Sequence, residues 1–431
     1  MKLRFSLIAL FLVSFMSAQQ GTFSPYSYFG LGDMAPKSLV ENRAMAGISM
    51  LGDSIHMNLQ NPAALANLRL TTYAVGANRR ASVLSSLEEQ IDADKVDRGH
   101  ITNLDYLALA FPFSPKGAFS FGIMPYSATS YQIGQTRIST LADTVRTTFE
   151  GNGGINRVFA SVGHQLIKGV NVGFMAHYNW GTKESTRLQA SDQVQFGTSD
   201  QRFSRIKGID LNSALTVTVP LKTKEGKLNL HASAVHDFAY QLDAANEQTL
   251  GSFLVSSGAD REVFDVDLGS LQNSQIEMPS KTTLGIGLGK PFSWFIGAEY
   301  ATQDMSLFKN EFIEPANSTY EMATSLRVGG YFIPNYNALN GILNRITYRA
   351  GLRIEDTGLR LNQTPIEMVV GSLGFSLPMG STAADRFSSI NVALEYGSRG
   401  TTDNALLKES FFGINIGLSL NDRWFIKRRI N

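Results

Sequence analysis

Residues 411–420 read FFGINIGLSL, and every second position of this stretch is apolar. Phe412 and Ile414 share the apolar parity, whereas Asn415 and Ser419 fall on the other. Successive side chains of a β-strand point to opposite faces, so this period of two predicts a strand with one apolar and one polar face.

The same alternation recurs from about residue 70 to the end of the chain. We predict fourteen strands, near residues 70–79, 103–112, 118–127, 155–166, 170–182, 207–220, 227–240, 282–290, 293–302, 320–333, 344–354, 368–378, 387–398 and 410–424. Alternation alone fits either a water-soluble sandwich or a membrane barrel, because in a barrel the apolar face simply turns to the lipid.

The connections between these strands decide between the two folds. Short ones, such as Ser114 to Gly117 and Ile167 to Gly169, alternate with long polar ones, such as 183–206 and 241–281. Outer-membrane barrels have short periplasmic turns and longer extracellular loops. The sequence therefore predicts an all-β transmembrane barrel of about 14 antiparallel strands over residues 69–431.

The three tryptophans agree with a barrel in a membrane. Trp180, Trp294 and Trp424 each fall near the end of a predicted strand and share the parity of its apolar face. Such positions are typical of the aromatic girdles at the membrane surface. The alternative is that the three side chains belong to an ordinary core.

The N-terminus predicts export. Lys2 and Arg4 precede an apolar stretch from Phe5 to Met16, followed by Ser17 and Ala18. The apolar stretch is shorter than the roughly 20 residues that a membrane-spanning helix needs, so residues 1–18 are predicted to be a cleaved signal peptide. We expect the mature chain in the outer membrane of a Gram-negative cell, in contact with its lipid.

Composition excludes several classes of function. Lys plus Arg total 38 against 37 Asp plus Glu, so there is no basic surplus for binding nucleic acid. The chain has no cysteine, and its six histidines are scattered without the short spacing of a metal site. No local motif pairs a nucleophile with a base. We therefore predict neither an enzyme nor a cofactor.

Residues 19–68 alternate poorly and are predicted to form a plug inside the barrel, with a loose periplasmic extension as the alternative. Within them, ENRAMAGISMLGDSIHMNLQNPAALANL resembles the N-terminal hatch of FadL-type channels, with the hatch motif at Asn61, Pro62 and Ala63. SPYSYFGLGD and NDRWFIKRRIN resemble the Bacteroidetes branch of that family. The resemblance implies a barrel of fourteen strands with a plug.

The resemblance also implies a function. FadL-type barrels carry small hydrophobic or amphipathic compounds passively across the outer membrane, and we expect such a ligand here. The alternative is the PorV-like branch, whose members are partners of type IX secretion-system proteins. A transporter needs a continuous apolar pocket, whereas a secretion partner can have a closed lumen and needs an exposed surface.

Five residues of the barrel are candidate functional positions. Pro125 lacks an N–H group and predicts a break in the third strand. With Gly122 it would form the sideways exit that the resemblance implies, unless the strand ends before Pro125. Arg349, Arg353 and Glu395 have the polar parity of their strands. They are predicted to contact a ligand headgroup, or else to form ion pairs that hold the wall.

Overall fold

The computed structural model of the chain describes residues 21–86, 97–140, 143–223, 226–313, 318–338, 341–379 and 387–422. The predicted signal peptide and Trp424 lie outside these residues. Over the described ranges, no helix has both the length and the apolar character needed to span a membrane.

Fourteen antiparallel strands close into a barrel, which confirms the predicted fold. They are β1 (Thr71–Ser85), β2 (Arg98–Ser114), β3 (Gly117–Thr140), β4 (Asp143–Ile167), β5 (Val170–Ser191), β6 (Phe196–Thr223), β7 (Gly226–Asp237), β8 (Lys281–Lys290), β9 (Trp294–Asp304), β10 (Met322–Phe332), β11 (Thr347–Leu361), β12 (Thr364–Pro378), β13 (Ser389–Arg399) and β14 (Lys408–Asp422). The barrel closes where β1 pairs with β14, from Thr71 opposite Asp422 to Ser85 opposite Lys408.

The side chains of the barrel alternate between an apolar outer face and a polar inner face. Ile286 and Tyr396 point outward and are 60% and 67% exposed. Asn179 and Asn415 point inward and are fully buried. This is the reverse of a water-soluble protein, and it matches a barrel whose outer face lies in lipid.

One side of the barrel is much taller than the other. Strands β3 to β6 have 24, 25, 22 and 28 residues, whereas β8 has 10. At about 3.3 Å per residue, β6 is roughly 90 Å long and β8 roughly 33 Å. A bilayer needs only about 9–11 residues of a tilted strand, so the upper halves of β3 to β6 rise above it. We call these upper halves the tall wall.

The tall wall corrects part of the sequence analysis. Much of the predicted loop at 183–206, and of the connection 128–154 between the third and fourth predicted strands, is strand that continues β3 to β6 upward. The predicted loop at 241–281 is also mostly strand. Above the bilayer the outer face of a strand meets water instead of lipid, although inner residues such as Ile206 are still buried with Leu31 of the plug. The outer positions are then no longer held apolar, so the sequence does not alternate clearly. The backbone groups of these segments still pair across strands. A prediction based only on the alternation of side chains does not detect such strands.

The tall wall is extended beyond β6 by the chain that follows β7. After an interruption at Phe238 and Ala239, strand Tyr240–Leu254 continues the line of β7 and pairs with the upper half of β6. Strands Asp260–Asp265 and Asn273–Met278 then pair with it on the far side. Shorter elements complete the outer rim and turns: strands Lys309–Asn310 and Ser318–Tyr320, and 3-10 helices Gly269–Gln272, Met305–Leu307, Ile342–Arg345 and Asp403–Ala405.

The wall has a gap between β2 and β3. These strands pair only from Ser114 opposite Gly117 up to Leu107 opposite Ile123. Above that point, β3 pairs instead with the short strand Asp33–Met34 of the N-terminal segment. The N-terminal segment therefore replaces β2 as the neighbour of β3 at this height.

Residues 21–70, which we call the plug, lie inside the barrel. The plug contains the 3-10 helix Pro25–Tyr28, strand Asp33–Met34, helix α1 (Val40–Arg43) and the 3-10 helix Pro62–Asn67. Its apolar side chains, among them Leu39, Leu65 and Leu68, form one core with inward residues of the wall such as Tyr106 and Phe159.

Candidate functional site

The motif Asn61-Pro62-Ala63 forms the start of the last helix of the plug. The Asn61 side chain is fully buried and accepts a hydrogen bond from the backbone N–H of Ala63 at 3.1 Å. It also donates from Nδ2 to the carbonyl of Ser49 at 3.2 Å. Pro62 takes the first helical position, where a missing N–H costs nothing. The motif thus fixes the direction in which the plug leaves the lumen and enters β1.

This helix lies against two glycines of the wall. Gly163 in β4 and Gly173 in β5 are directly opposite each other. A Cβ atom added at Gly163 would lie 2.3 Å from the Pro62 carbonyl oxygen, and one added at Gly173 would lie 2.3 Å from the Ala63 nitrogen. Both contacts are with plug backbone, so only glycine fits at these two wall positions.

Arg43 of α1 joins two sides of the wall. Its guanidinium donates to Asp105 of β2 at 2.8 Å and to Glu395 of β13 at 2.7 and 3.0 Å. Asn415 of β14 donates to the same Glu395 oxygen at 2.9 Å. The three charged side chains are each at most 11% exposed. Burial lowers the pKa of Arg43, but the two carboxylates outweigh it, so this pKa lies above its ordinary value.

A second network holds the beginning of the plug. Arg399 of β13 contacts Asp33 and Glu409 at 2.9 Å each, and Arg80 of β1 contacts Glu409 at 2.8 Å. Ser24 of the plug donates to Glu409 at 2.8 Å. Burial raises the pKa of Asp33, but the charges of Arg399 and Arg80 more than compensate, so this pKa lies below its ordinary value.

Further polar contacts fill the lumen. Glu299 of β9 accepts hydrogen bonds from the backbone N–H groups of Ser49 and Met50 at 2.7 and 2.8 Å. Lys37 of the plug contacts Asp237 of β7 at 3.1 Å. The plug is therefore bound to the wall by charges and hydrogen bonds around much of its circumference.

A cavity of about 450 Å³ remains between the plug and the wall. Its lining combines apolar and aromatic side chains with charged groups, and the charged groups of the side formed by β7 to β11 include Asp237, Lys281, Arg327, Arg353 and Glu355. An apolar molecule that filled this cavity would cover these charged groups, and burying charge without water or a counter-charge is costly.

The structure brings two of the three predicted lumenal residues to this cavity. Arg353 and Glu395 both line it, and Arg353 lies 3.7 Å from Glu355. Arg349 lies four positions nearer the periplasmic end of β11, where it donates to Ser376. One carboxylate oxygen of Glu395 accepts hydrogen bonds from Arg43 of the plug.

Pro125 lies at an irregularity of the wall. The pairing of β3 with β4 shifts register between Pro125 and Ser127, so Tyr126 is an extra residue. This position is just above the last pair between β2 and β3. Gly122 lies below it, opposite Ala108, within the paired part of the two strands.

The plug residues that bind the wall were not predicted from the sequence. Asp33 and Arg43 lie in stretches that we read for their small residues and motif likeness alone. A charged residue inside a stretch rich in Gly and Ala was the available signal, since such a charge, if buried, needs a partner.

Comparisons with solved structures place the barrel among FadL-type channels in fold. The Ralstonia pickettii toluene transporter TbuX is similar with a TM-score of 0.56 and 16% identity, covering 92% of this chain and 100% of that one. The Pseudomonas putida toluene transporter TodX is similar with a TM-score of 0.57 and 15% identity, covering 92% of this chain and 100% of that one. A Pseudomonas aeruginosa FadL homologue has a TM-score of 0.54 and 11% identity, covering 91% of this chain and 100% of that one.

At these identities the likeness concerns the fold alone. No curated protein sequence matches the chain. The model of one protein family, described as BamG, matches residues 1–431. The chain is thus a FadL-like barrel by fold, and by its sequence it belongs to the BamG family.

Proposed function

We propose that this chain is a protein-binding component of the outer membrane, exposing its binding surface outside the cell, and that its lumen does not conduct hydrophobic compounds. The observation that carries the proposal is the charged lumen. The plug is tied to the wall through Arg43 and Arg399, and the remaining cavity is lined by further charged groups.

A hydrophobic compound would gain little in such a lumen. Sites for apolar ligands are lined mainly by apolar and aromatic side chains, with a few polar groups that set orientation. Here an apolar ligand would contact Lys281, Arg327, Arg353 and Glu355 as well as the apolar part of the lining, and it offers these charged groups no hydrogen bond. The charged lumen thus supports the secretion-partner alternative over transport.

The tall wall supports the same proposal. A channel needs only the membrane-spanning part of each strand, yet β3 to β6 continue for about ten residues or more above it. Ordering that much backbone costs about 1–2 kcal/mol per residue, so the tall wall needs its own cross-strand pairing to persist. A rigid sheet standing above the membrane is a surface on which another protein can bind.

Native mass spectrometry of the gently extracted, full-length chain tests the proposal. We expect a second protein at fixed stoichiometry and no lipid-like molecule within the lumen. Protease applied to intact cells before extraction should release that protein, while periplasmic proteins of the same cells remain uncut as the control. A chain that carries a hydrophobic small molecule and no protein would contradict the proposal.

One observation favours passive transport as a second candidate. The gap between β2 and β3 lies beside Pro125, and Pro125 and Ala128 line the cavity. A path from the lumen to the lipid could leave the barrel there, between the last pair of β2 with β3 and the plug strand Asp33–Met34 that pairs with β3 above it. The solved relatives include proteins described as toluene transporters.

Replacing Pro125 by Val tests this candidate. Valine restores a backbone N–H and a β-branched side chain, and should straighten β3 at its register shift with β4, which lies beside the gap. If transport occurs, uptake of a hydrophobic dye into proteoliposomes should slow in Pro125→Val. Pro220→Val is the matched control, because Pro220 is paired with Asn229 in β6 and β7, near the periplasmic end of the wall and far from the gap. Equal uptake by both variants and the native chain would contradict a lateral exit at Pro125.

Gly122→Ala is unsuitable for this test. A Cβ atom at Gly122 would lie 2.4 Å from the carbonyl oxygen of Leu107 in β2. It would therefore disturb the pairs that β2 and β3 already make instead of adding new ones.

A further inference from the structure

We propose that strand Asp260–Asp265, which we call the rim strand, binds an extended, basic segment of another protein as an added β-strand. The inference rests on the proposed protein-binding function and specifies where and how the partner binds. The rim strand is the last strand of the tall wall on the side away from β3, and among the described strands it pairs only with Tyr240–Leu254.

The rim strand is open to solvent along its whole length. All six of its residues are exposed, and Val263 and Phe264 are 60% and 61% exposed. An exposed strand at the edge of a sheet presents unpaired backbone N–H and C=O groups, and an extended peptide can bind to them.

The direction of the free groups follows from one hydrogen bond. The Val266 N–H donates to the Gln248 carbonyl at 2.9 Å. In an antiparallel ladder, bonded pairs alternate with unbonded ones. Phe264 is therefore bonded to Leu250, opposite it. The N–H and C=O groups of Val263 and Asp265 consequently point away from the sheet, toward an incoming strand.

The negative charge of the rim strand favours a basic partner. It carries Asp260, Glu262 and Asp265 against Arg261, which gives three negative charges and one positive, a net charge of −2. Opposite charges directly across a strand pair are favourable and like charges are not. Glu262 and Val263 point to opposite faces of the strand. A bound strand in which Lys or Arg alternates with apolar residues can therefore place its cations beside Glu262 and its apolar side chains beside Val263.

A second copy of this chain fits the rim strand poorly. All copies insert into the membrane in one orientation, so two rim strands running down toward the bilayer would pair side by side and parallel. In that arrangement Glu262 and Asp265 would lie beside their own counterparts, and like charges at neighbouring positions are destabilising. This argues for a different protein as the partner.

Peptide binding to the full chain in lipid nanodiscs tests the inference. The probes are a labelled eight-residue peptide of alternating Lys and Val and its counterpart with Glu in place of Lys, followed by fluorescence anisotropy. We expect the Lys peptide to bind and the Glu peptide not to bind. Val263→Pro removes an outward N–H without breaking a bond inside the sheet, and should weaken binding by about tenfold.

Val263→Thr is the matched control. It keeps the N–H and the β-branched shape, so its affinity should stay within about twofold of the native chain. If Val263→Pro fails to fold, Asp265→Pro removes the other outward N–H, and Asp265→Asn, which keeps that N–H, is then the control for the lost charge. Unchanged Lys-peptide binding in a folded proline variant, equal binding of the Glu peptide, or dimers of this chain that the proline abolishes would each overturn the inference. A proline variant that loses the peptide but keeps its cellular partner would overturn the rim strand as the docking site while leaving the proposed function intact.

Discussion

Replacing Arg43 by Ala should destabilise the folded barrel by about 3–5 kcal/mol, the usual cost of removing one partner from a buried ion pair. Asp105 and Glu395 would remain buried within the lumen without their cation. The midpoint of urea unfolding, followed by the heat-dependent shift of the barrel on gels, should fall markedly. The plug should also become accessible to protease at lower urea than the strands of the wall.

Two further variants test the cause of this loss. Arg205→Ala removes an exposed arginine whose contact with Glu247 is long, 3.7 Å, with both side chains more than 60% exposed. It should change stability by less than about 1 kcal/mol. Adding Asp105→Asn and Glu395→Gln to Arg43→Ala should recover much of the loss, because neutral amides tolerate burial better than unpaired charges. An Arg43→Ala barrel as stable as the native one would show that the ion pairs do not hold the plug.

Replacing Gly173 by Val should force the last helix of the plug away from the wall. The added Cβ would lie 2.3 Å from the backbone nitrogen of Ala63. Because the contact is with backbone, no side chain can rotate away to relieve it. Overpacking of this kind costs about 1–3 kcal/mol, which is best relieved by displacing the less strongly paired element, the plug. Planar-bilayer recordings should therefore show a larger current per inserted barrel than the native chain gives.

Gly371→Val is the matched control for this prediction. A Cβ at Gly371 has only the Tyr396 carbonyl oxygen near it, at 3.9 Å. Gly371 is opposite the outward-pointing Tyr396, so the added side chain would face the lipid. The same substitution there should leave the current unchanged. Equal currents from Gly173→Val and the native chain would mean that the contact with Ala63 does not hold the plug in the lumen.

The sequence predicted the membrane-spanning part of the fold because one physical constraint acts on it. Lipid outside and a polar lumen inside force a period of two, so segments such as 346–354 and 411–420 could be recognised one by one. Where that constraint ends, as in β3 above Pro125, the same reading failed and took strand for loop.

The plug and its contacts were less accessible to sequence reasoning. The motif at Asn61 could be recognised by likeness, but its partners Gly163 and Gly173 lie about a hundred residues away in sequence. Arg43 and Glu395 are 352 residues apart. Pairings over such separations depend on how strands are arranged around the barrel, and no local pattern encodes them.

The position of Arg43 has a consequence for the order of assembly. β1 and β14 are the first and last strands of the barrel, so their junction is the seam at which the sheet becomes a cylinder. Arg43 binds β2 on one side of that seam and β13 on the other. A plug that enters only after closure would have to thread a narrow lumen, whereas a plug present beforehand can draw the two ends together. The position of Arg43 therefore predicts that the plug aids closure of the cylinder, so that a barrel made without the plug would close more slowly and would have an unobstructed lumen.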